Sequence, residues 1–340
     1  MVTGTTPAPR ALLPGFAPVF AAAMLLMSGS SWVATAHAQA WPAKPVCMVV
    51  PWPPGGANDI LGRELAEHMT RLMGQQVIVD NRGGANGVIG AEAVARAAPD
   101  GYTFMMHSLT SHATNPAIYT RLNYDTINDF APVTQVAWLP LMIVVHPAFP
   151  AKTVGDLLRI ARAQPGAISY ASFGTGSMSH LAGELLKVMA KIDMTHIPYK
   201  GGGPALIDTV AGQVPVYFAG VTTALSNVQA GRLRVLAVTG NVRSKPLPNV
   251  PTVAETPELK GYEASVTYAV WVPARTSPDI IGRLNGIVIK AMQTPEFRAR
   301  LEREGCSDPI GGTPELLAAA QRSEIDKLAK IVRAAGIEPQ

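Results

Sequence analysis

The sequence predicts an α/β fold, and three observations support this. Short apolar runs with the length of buried strands recur along the chain. Between them lie segments in which apolar residues return every three or four positions, as in amphipathic helices. Glycine-rich turns join several of the apolar runs to the helical segments that follow. Because strands and helices alternate, we expect largely parallel sheets flanked by helices.

Seven apolar runs are predicted to be strands, namely 46–50, 75–80, 102–106, 141–145, 167–172, 214–220 and 233–239. The first helix is predicted from the spacing of Ile60, Leu61, Leu65, Met69, Leu72 and Met73. The last helix is predicted from Leu317, Ile325, Leu328 and Val332. Three helices are predicted to begin where a hydroxyl residue precedes proline, at Ser277-Pro278, Thr294-Pro295 and Thr313-Pro314. Gly336 is predicted to end the last helix.

Residues 1–40 have the features of a secretory signal peptide. Arg10 is their only charged side chain, and a long apolar run follows it. The stretch "ATAHAQA" then offers small residues for cleavage after Ala38 or Ala40. No second apolar run has the roughly 20 residues needed to cross a bilayer. The sequence therefore predicts an exported, soluble protein that is not membrane-embedded.

The charge balance excludes some partners. The chain has 28 basic and 24 acidic side chains, a net charge of +4 and no run of Lys or Arg, so nucleic acid is not an expected partner. A weak positive field suits a small anionic ligand, although many proteins have one. Export would allow a disulfide between Cys47 and Cys306. Because Cys47 lies in an apolar run, a buried free thiol is the favoured interpretation.

Four glycine-rich turns link strand-like runs to helical segments. Two lie at Gly55-Gly56 and Gly83-Gly84, and two more lie within 172–186 and 199–214. Glycine lets the backbone approach a ligand closely, and the start of a helix leaves N–H donors unpaired, so such a turn can hold an anion. Any α/β protein favours glycine in one such turn. Four turns with hydroxyls nearby predict a shared anion site; the hydroxyls belong to Ser108, Thr110, Ser111, Thr175, Ser177 and Ser179.

Motifs for catalysis and metal binding are incomplete. No glycine turn is followed by Lys-Ser/Thr, and the chain has no G-x-S-x-G, H-E-x-x-H or C-x-x-C. Ser177 and His180 are three residues apart and could share a helix face, but without a third group they are weak evidence for a nucleophile. We therefore expect that the protein is not an enzyme and that it has no catalytic residues, metal or cofactor.

Ordered motifs along the chain resemble one family. "VVPWPPGGANDILGR" is similar to P-F-x-P-G-G-x-x-D-x-x-A-R, and "NRGGANGVIGAEAVARAAPDGYTF" to N-x-x-G-A-x-G-x-x-G-A followed by P-D-G-Y-T. Further blocks in the expected order are "SHLAGELL", "HIPYKGGGPALIDTVAGQV", "GRLRVLAVT", "LPNVPTVAE" and "VPARTSPDIIGRLN". Over nearly the whole mature chain, the sequence resembles the Bug family, the extracytoplasmic solute receptors of tripartite tricarboxylate transporters.

The resemblance implies a two-lobed periplasmic binding fold of the second type. Each lobe would be a mixed, mostly parallel sheet flanked by helices. Segments near 141–146 and 268–273 would join lobe 1 (41–145 plus 270–340) to lobe 2 (146–269). It also implies a function: a monomeric periplasmic protein captures a small carboxylate between the lobes and delivers it to the membrane components of the transporter.

Two alternatives remain open from the sequence. An exported enzyme acting on a small carboxylate could use Ser177 with His180, or Asp59, as acid–base groups. A sensory co-receptor could share the fold and the ligand but dock onto a signalling protein. The identity of the carboxylate is also open.

The resemblance carries over ligand-binding positions, in which backbone N–H groups, hydroxyls and water do most of the binding. They are Trp52, Pro54, Gly55, Gly56, Asp59, Gly84, Ala85 and Gly87 in the first lobe, and Thr175, Gly176, Ser177 and Tyr199 in the second. Ser108 joins them as a hydroxyl beside the turns. Asp59 could instead interact favourably with the dipole of the helix that follows the turn, and the ring of Tyr199 could simply pack against its neighbours. Trp52 stands where relatives carry Phe and could act as a larger lid or simply pack.

Three departures from the family pattern bear on the ligand. Ala219 and Gly220 stand where relatives often have Asp and Asn. An Asp there could pair with a ligand ammonium, so its absence predicts an acid without an α-amine. Arg275 replaces a common Gly, which could alter a turn. Ala269 stands where a hinge-region Gly is common, which could stiffen closure.

Overall fold

The alternation of apolar runs and helical segments produces ten strands and ten helices within the described residues. The computed structural model describes residues 1–6, 8, 41–303 and 309–339. The strands are β1 (Val46–Val50), β2 (Val77–Asn81), β3 (Thr103–Ser108), β4 (Phe130–Val145), β5 (Ser169–Ser172), β6 (Thr195–Pro198), β7 (Val216–Gly220), β8 (Arg234–Val238), β9 (Ser265–Pro273) and β10 (Pro309–Gly311). The helices are α1 (Ala57–Met73), α2 (Val88–Ala95), α3 (Leu109–Ile118), α4 (Val154–Ala163), α5 (Met178–Ala190), α6 (Gly202–Val210), α7 (Val221–Gln229), α8 (Pro278–Met292), α9 (Pro295–Arg303) and α10 (Pro314–Ala334).

The strands pair in the order β2-β1-β3-β9-β4-β7-β5-β6, and β8 and β10 also pair with β4. The long strand β4 changes partners along its length. Up to Pro140 it pairs with β9, and from Leu141 onward it pairs with β7 and β8. We call β2, β1, β3, β9 and β10 the first strand group, and β7, β8, β5 and β6 the second.

The sheet is mixed. The expected parallel pairing holds for β2-β1-β3 and for β6-β5-β7. The pairs that involve β4 or β9 are antiparallel. Strand β4 joins the two groups, and both β4 and β9 are longer than the strands that pair in parallel.

Several strands were missing from the sequence-based prediction. The run 141–145 is only the last part of β4, because Pro132, Thr134 and Gln135 interrupt the apolar pattern before it. There the strand is irregular, with register shifts between Pro132 and Thr134 and between Gln135 and Ala137. Strand β9 does contain an apolar run, at 268–273, but the prediction assigned that run to a segment joining the lobes and did not count it as a strand. Strands β6 and β10 are only four and three residues long and form no apolar run.

The predicted helix starts and stop are confirmed. Helices α8, α9 and α10 each begin at the expected proline. Ser277 and Thr313 accept hydrogen bonds from backbone N–H groups three residues later. Helix α10 ends at Ala334, and Gly336 follows with a left-handed φ of 64°.

The core lies between the sheet and the apolar helix faces. On α1, the predicted residues Leu61, Leu65 and Met69 are buried and belong to the same cluster as Met48 of β1 and Phe104 of β3. This packing holds α1 against the sheet after the six-residue turn 51–56 that follows β1.

The segment Trp41–Gln340 forms one compact unit. The predicted signal peptide lies almost entirely outside the described residues, as does Cys306. Cys47 is a free, half-buried thiol, and burial together with the charge of Asp80 raises its pKa. Of the helices in the described part of the chain, none is both long and apolar enough to cross a membrane.

Candidate functional site

Two neighbouring cavities lie where strands from both groups end and helices begin. The first, which we call the helix-end cavity, encloses about 460 Å³ of empty space, part of it open to solvent. Residues at the starts of five helices and several aromatic side chains line it: Trp52, Pro53, Gly56, Ala57, Asn58, Ser108, Ser111, Phe173, Met178, Gly201, Gly202, Thr223, Val266 and Tyr268. In α/β proteins, ligands bind at these carboxyl ends of strands.

The second, which we call the loop cavity, encloses about 570 Å³ of empty space, again partly open to solvent. Turn residues from both groups line it: Trp52, Gly84, Ala85, Asn86, Tyr119, Phe173, Gly174, Thr175, Pro198, Tyr199 and Lys200. Trp52 and Phe173 line both cavities. Their side chains therefore lie where one cavity meets the other.

Helices α1, α6 and α7 point uncapped N-termini at the helix-end cavity. Their N-cap residues are Gly56, Gly201 and Gly220, and no side chain accepts a hydrogen bond from the first turn of any of the three. Helix α4, by contrast, starts with Thr153, whose hydroxyl accepts from the Asp156 N–H in a capping box. Unpaired N–H groups and the helix dipole make each uncapped start attractive to an anion.

Glycines allow turns from the two strand groups to approach each other closely. A Cβ on Gly83 would lie 2.7 Å from the Pro53 ring. A Cβ on Gly201, from the second strand group, would lie 3.3 Å from the same ring, and Gly201 has a φ of +126°. Pro53 thus packs between turns from the two groups, and neither turn has room for a side chain without adjustment.

Hydroxyl groups add hydrogen-bonding capacity to the helix-end cavity. The Ser108 Oγ accepts from the Ser111 N–H at 3.1 Å and so caps α3. The Thr223 Oγ1, in the first turn of α7, is buried without a hydrogen-bond partner. A buried hydroxyl without a partner is costly, and a ligand oxygen would supply the missing bond.

Among the described lining residues of the two cavities, Lys200 is the one with a charged side chain. It is exposed at the loop cavity. Neighbouring Tyr199 donates its hydroxyl to Asp208 at 2.7 Å. Burial and this contact raise the pKa of Tyr199 to about 12. The ring of Tyr199 borders the cavity while its hydroxyl is already paired.

The structure distributes the predicted site residues unevenly. Gly56 and Ser108 line the helix-end cavity; Gly84, Ala85, Thr175 and Tyr199 line the loop cavity; and Trp52 lines both. The other predicted residues line neither cavity: Pro54, Gly55, Asp59, Gly87, Gly176 and Ser177.

Of these other residues, Asp59 and Gly87 shape the turns, whereas Pro54 and Gly55 lie at the tip of one. Asp59 accepts from the Gly55 N–H at 2.9 Å, so its carboxylate is bound within the protein. Gly87 has a φ of +89° and lies against His107, where a Cβ would be 2.4 Å from the ring. Pro54 and Gly55 are exposed at the tip of the first turn.

Gly176 and Ser177 form the turn before α5. The Gly176 N–H donates to His180 Nδ1 at 3.1 Å. The Ser177 Oγ donates to the Gly174 carbonyl at 2.7 Å and accepts from the His180 N–H at 3.4 Å. This geometry does not suit a nucleophile, because His180 does not accept the Ser177 proton. Burial, and to a smaller extent the positive charge of Lys187, lowers the pKa of His180 to about 4.

Sequence reasoning missed part of the lining. Thr223 follows "FAG", a strand-to-glycine-to-helix junction of the same kind as the four turns, and this pattern could have identified it. Phe173 directly precedes the "GTGS" turn. Val266 and Tyr268 belong to β9, and Tyr268 pairs with Ser108 of β3 across the sheet, a contact with no local signal in the sequence.

Residues 61–337 match the family described as "Tripartite tricarboxylate transporter family receptor". The match covers most of the chain. The chain belongs to this receptor family. The description is that of transport receptors, and the Bug resemblance seen in the motifs agrees with it.

Two curated relatives align over almost their full length. One, from Pseudomonas sp. strain P51, is the "UPF0065 protein in tcbD-tcbE intergenic region"; it is 38% identical over 314 residues, which cover 92% of this chain and 93% of the relative. The other is "Protein BugT" of Bordetella pertussis, 35% identical over 306 residues, which cover 89% of this chain and 93% of the relative.

Two solved structures that are similar to this chain contain bound carboxylates. The Rhodopseudomonas palustris protein Rpa4515 with adipate has a TM-score of 0.85 and 35% identity, over 88% of this chain and 100% of that one. MatC from Rhodopseudomonas palustris with bound malate has a TM-score of 0.80 and 29% identity, over 86% of this chain and 100% of that one. The receptor family and the two-cavity site are therefore consistent with each other.

Proposed function

We propose that this chain is a periplasmic solute-binding receptor that captures a small carboxylate and delivers it to the membrane components of a tripartite tricarboxylate-type transporter. Family membership supports the transport role. The adipate and malate held by two similar proteins support a carboxylate as the ligand class.

The observation that carries the proposal is the meeting of three uncapped helix N-termini at one cavity. Helices α1, α6 and α7 come from both strand groups, so one anion can take N–H hydrogen bonds from both. Because the ligand binds more tightly when both groups reach it, it favours a closed arrangement.

The residues that line the two cavities also favour a ligand acid that lacks an α-amine. A ligand ammonium would need an acidic partner, and no Asp or Glu lines either cavity in the described part of the chain. Ala219 and Gly220 occupy the end of β7, where an Asp–Asn pair would have offered one.

We propose the predicted lobes, 41–145 plus 270–340 and 146–269, as the two bodies that close. The partner change of β4 at Pro140–Leu141 supports a boundary near there. Strand β9 pairs with the part of β4 before Leu141 from Ser265 onward, which favours a second boundary a few residues earlier than 269. Removal of residues 1–40 as a signal peptide and a monomeric state are parts of the same proposal.

We infer that the protein performs no chemistry on its ligand. The paired Ser177 hydroxyl and the bound Asp59 carboxylate leave neither positioned as an acid or base toward a cavity. A sensory role would use the same site, and comparing uptake with gene induction in a deletion strain separates it from delivery.

The direct test is a thermal-shift screen of small acids against the mature protein. An acid at 100 times its dissociation constant should stabilise the protein by about 2.7 kcal/mol. Dicarboxylates such as adipate and malate should raise the Tm, whereas aspartate and glutamate should not. Calorimetry on each hit gives the affinity. Stabilisation by amino acids alone, or by no carboxylate at all, would contradict the proposal.

A further inference from the structure

The aromatic pair Trp52 and Phe173 occupies the junction between the helix-end and loop cavities. Trp52 follows β1 in the first strand group, and Phe173 follows β5 in the second. Because both residues line both cavities, a ligand that extends from one cavity into the other would contact their rings. The orientation of the Trp52 ring would then affect how much space such a ligand has.

The Trp52 ring is held by hydrogen bonds on its indole. Its Nε1–H donates to His107 Nδ1 at 3.2 Å, and the ring centroids lie 6.1 Å apart. With its amide nitrogen donating to the Met106 carbonyl, Asn58 offers its oxygen to the same Nε1–H at 3.1 Å. The backbone carbonyl of Trp52 also accepts from Asn81 Nδ2 at 3.0 Å.

His107 is well placed to be a fixed acceptor. Its side chain is fully buried near the end of β3, where His107 pairs with Ala269 of β9. Gly87 packs so closely on the imidazole that a Cβ there would overlap it. Burial, and to a smaller extent His112, lowers the pKa of His107 well below its usual value, so the ring is neutral. A neutral ring with Nδ1 accepting carries its proton on Nε2.

We propose that His107 is a positioning residue that holds Trp52 across the junction of the two cavities, and that the pair selects acids narrow enough to pass between Trp52 and Phe173. The selectivity part rests on the proposed receptor function. The positioning part rests only on the geometry of the Trp52–His107 contact.

Four variants test the pair. His107→Leu removes the acceptor at similar size. His107→Asn retains one, because the Asn Oδ1 is bonded to Cγ as Nδ1 is in histidine. Trp52→Phe removes the donor, and Trp52→Phe/His107→Leu completes a double-mutant cycle. Tm values of the unliganded proteins establish that each variant folds.

The first readout is the ¹⁵N–¹H signal of the Trp52 indole, assigned by its loss in Trp52→Phe. We expect His107→Leu to shift this signal and speed its exchange with solvent, and His107→Asn to restore slow exchange. An unchanged indole signal in His107→Leu would overturn the positioning role. This readout needs no ligand, so it separates a failure of the positioning role from a failure of the receptor function.

The second readout is affinity for adipate, which is slender, and for phthalate, which carries a ring. We expect wild type to prefer adipate, and His107→Leu and Trp52→Phe each to reduce that preference about tenfold. The double variant should match Trp52→Phe alone, because without the indole His107 has nothing to hold. Fully additive effects, or a wild type that binds phthalate as tightly as adipate, would overturn the selectivity role.

Discussion

The backbone N–H of Gly55 donates a hydrogen bond to the Asp59 carboxylate, with 2.9 Å between N and Oδ2. The same carboxylate accepts from Asn81 Nδ2 and pairs with Arg63, each at 2.9 Å. Asp59 therefore closes the turn that leads to Gly56 and α1, and it ties that turn to the end of β2. An acid in this motif shapes the anion site without lining either cavity.

Asp59→Asn should be less stable than wild type at neutral pH by about 2 kcal/mol, because hydrogen bonds to a charged acceptor contribute roughly 1.5–3 kcal/mol. Burial raises the pKa of Asp59, but hydrogen bonds from Arg63, Gly55 and Asn81 outweigh it and leave the pKa below its usual value. The added stability is therefore complete above the unfolded pKa of about 3.9 and is lost as the pH falls through the folded pKa.

Denaturant unfolding across an acid pH series measures this difference. The free energies of unfolding of wild type and Asp59→Asn should converge at low pH. If the difference in free energy of unfolding stays constant from neutral to acid pH, the charge of Asp59 does not contribute to stability.

Thr223→Val should weaken carboxylate binding about tenfold without lowering the Tm of the unliganded protein, because it removes a buried hydroxyl that has no partner there. The Thr223 Oγ1 has no partner to lose in the unliganded protein, and valine has nearly the same shape. Thr222→Val is the matched control, since its Oγ1 is also buried and unpartnered but does not line the helix-end cavity. Calorimetry with the tightest-binding acid from the screen measures the affinity of each variant. Equal losses of affinity in Thr223→Val and Thr222→Val would contradict the assignment of α7 to the site.

The parts of the site that local sequence encodes could be predicted. Gly56 and Gly84 stand in turns between a strand and a helix, and both the need for glycine and the unpaired N–H groups follow from that junction. The helix starts at Pro278 and Pro314 follow from their capping residues for the same reason.

The parts of the site that depend on contacts between distant segments could not be predicted from the sequence. Tyr268 reaches the helix-end cavity because β9 pairs with β3, with Ser108 opposite Tyr268. The Trp52–His107 contact joins residues 55 positions apart. Neither relationship leaves a pattern within a window of sequence, and the roles of Asp59 and Ser177 in holding turns became visible only with their partners in place.

Gly176→Ala should reduce ligand affinity about tenfold, because the added methyl group takes space held by the Ile118 side chain, so that side chain or the turn itself must move. Gly176 has a φ of +76°, and a Cβ there would lie 2.1 Å from Cδ1 of Ile118, the last residue of α3. Gly231→Ala is the matched control: its φ is +68°, so it bears the same left-handed strain, but it faces open space.

A second substitution separates the clash from the strain. Ile118→Val removes the Cδ1 atom itself, so Gly176→Ala/Ile118→Val should regain most of the lost affinity. Calorimetry on the single, double and control variants provides the comparison. If Gly231→Ala loses as much affinity as Gly176→Ala, the contact with Ile118 has no part in binding.

Ser177→Ala should destabilise the protein by about 1 kcal/mol, the usual effect of removing an N-cap hydroxyl. Thr153→Ala, which removes the hydroxyl that caps α4, should have a similar effect and is the matched control. Since the Ser177 proton is directed at the Gly174 carbonyl and His180 Nδ1 accepts from Gly176, no proton path leads from Ser177 to His180. Mass spectrometry of acids incubated with wild type should therefore show no conversion. Turnover by wild type that disappears in Ser177→Ala but persists in Thr153→Ala would make this chain an enzyme, and the hydrogen bonds of the 174–180 turn argue against that outcome.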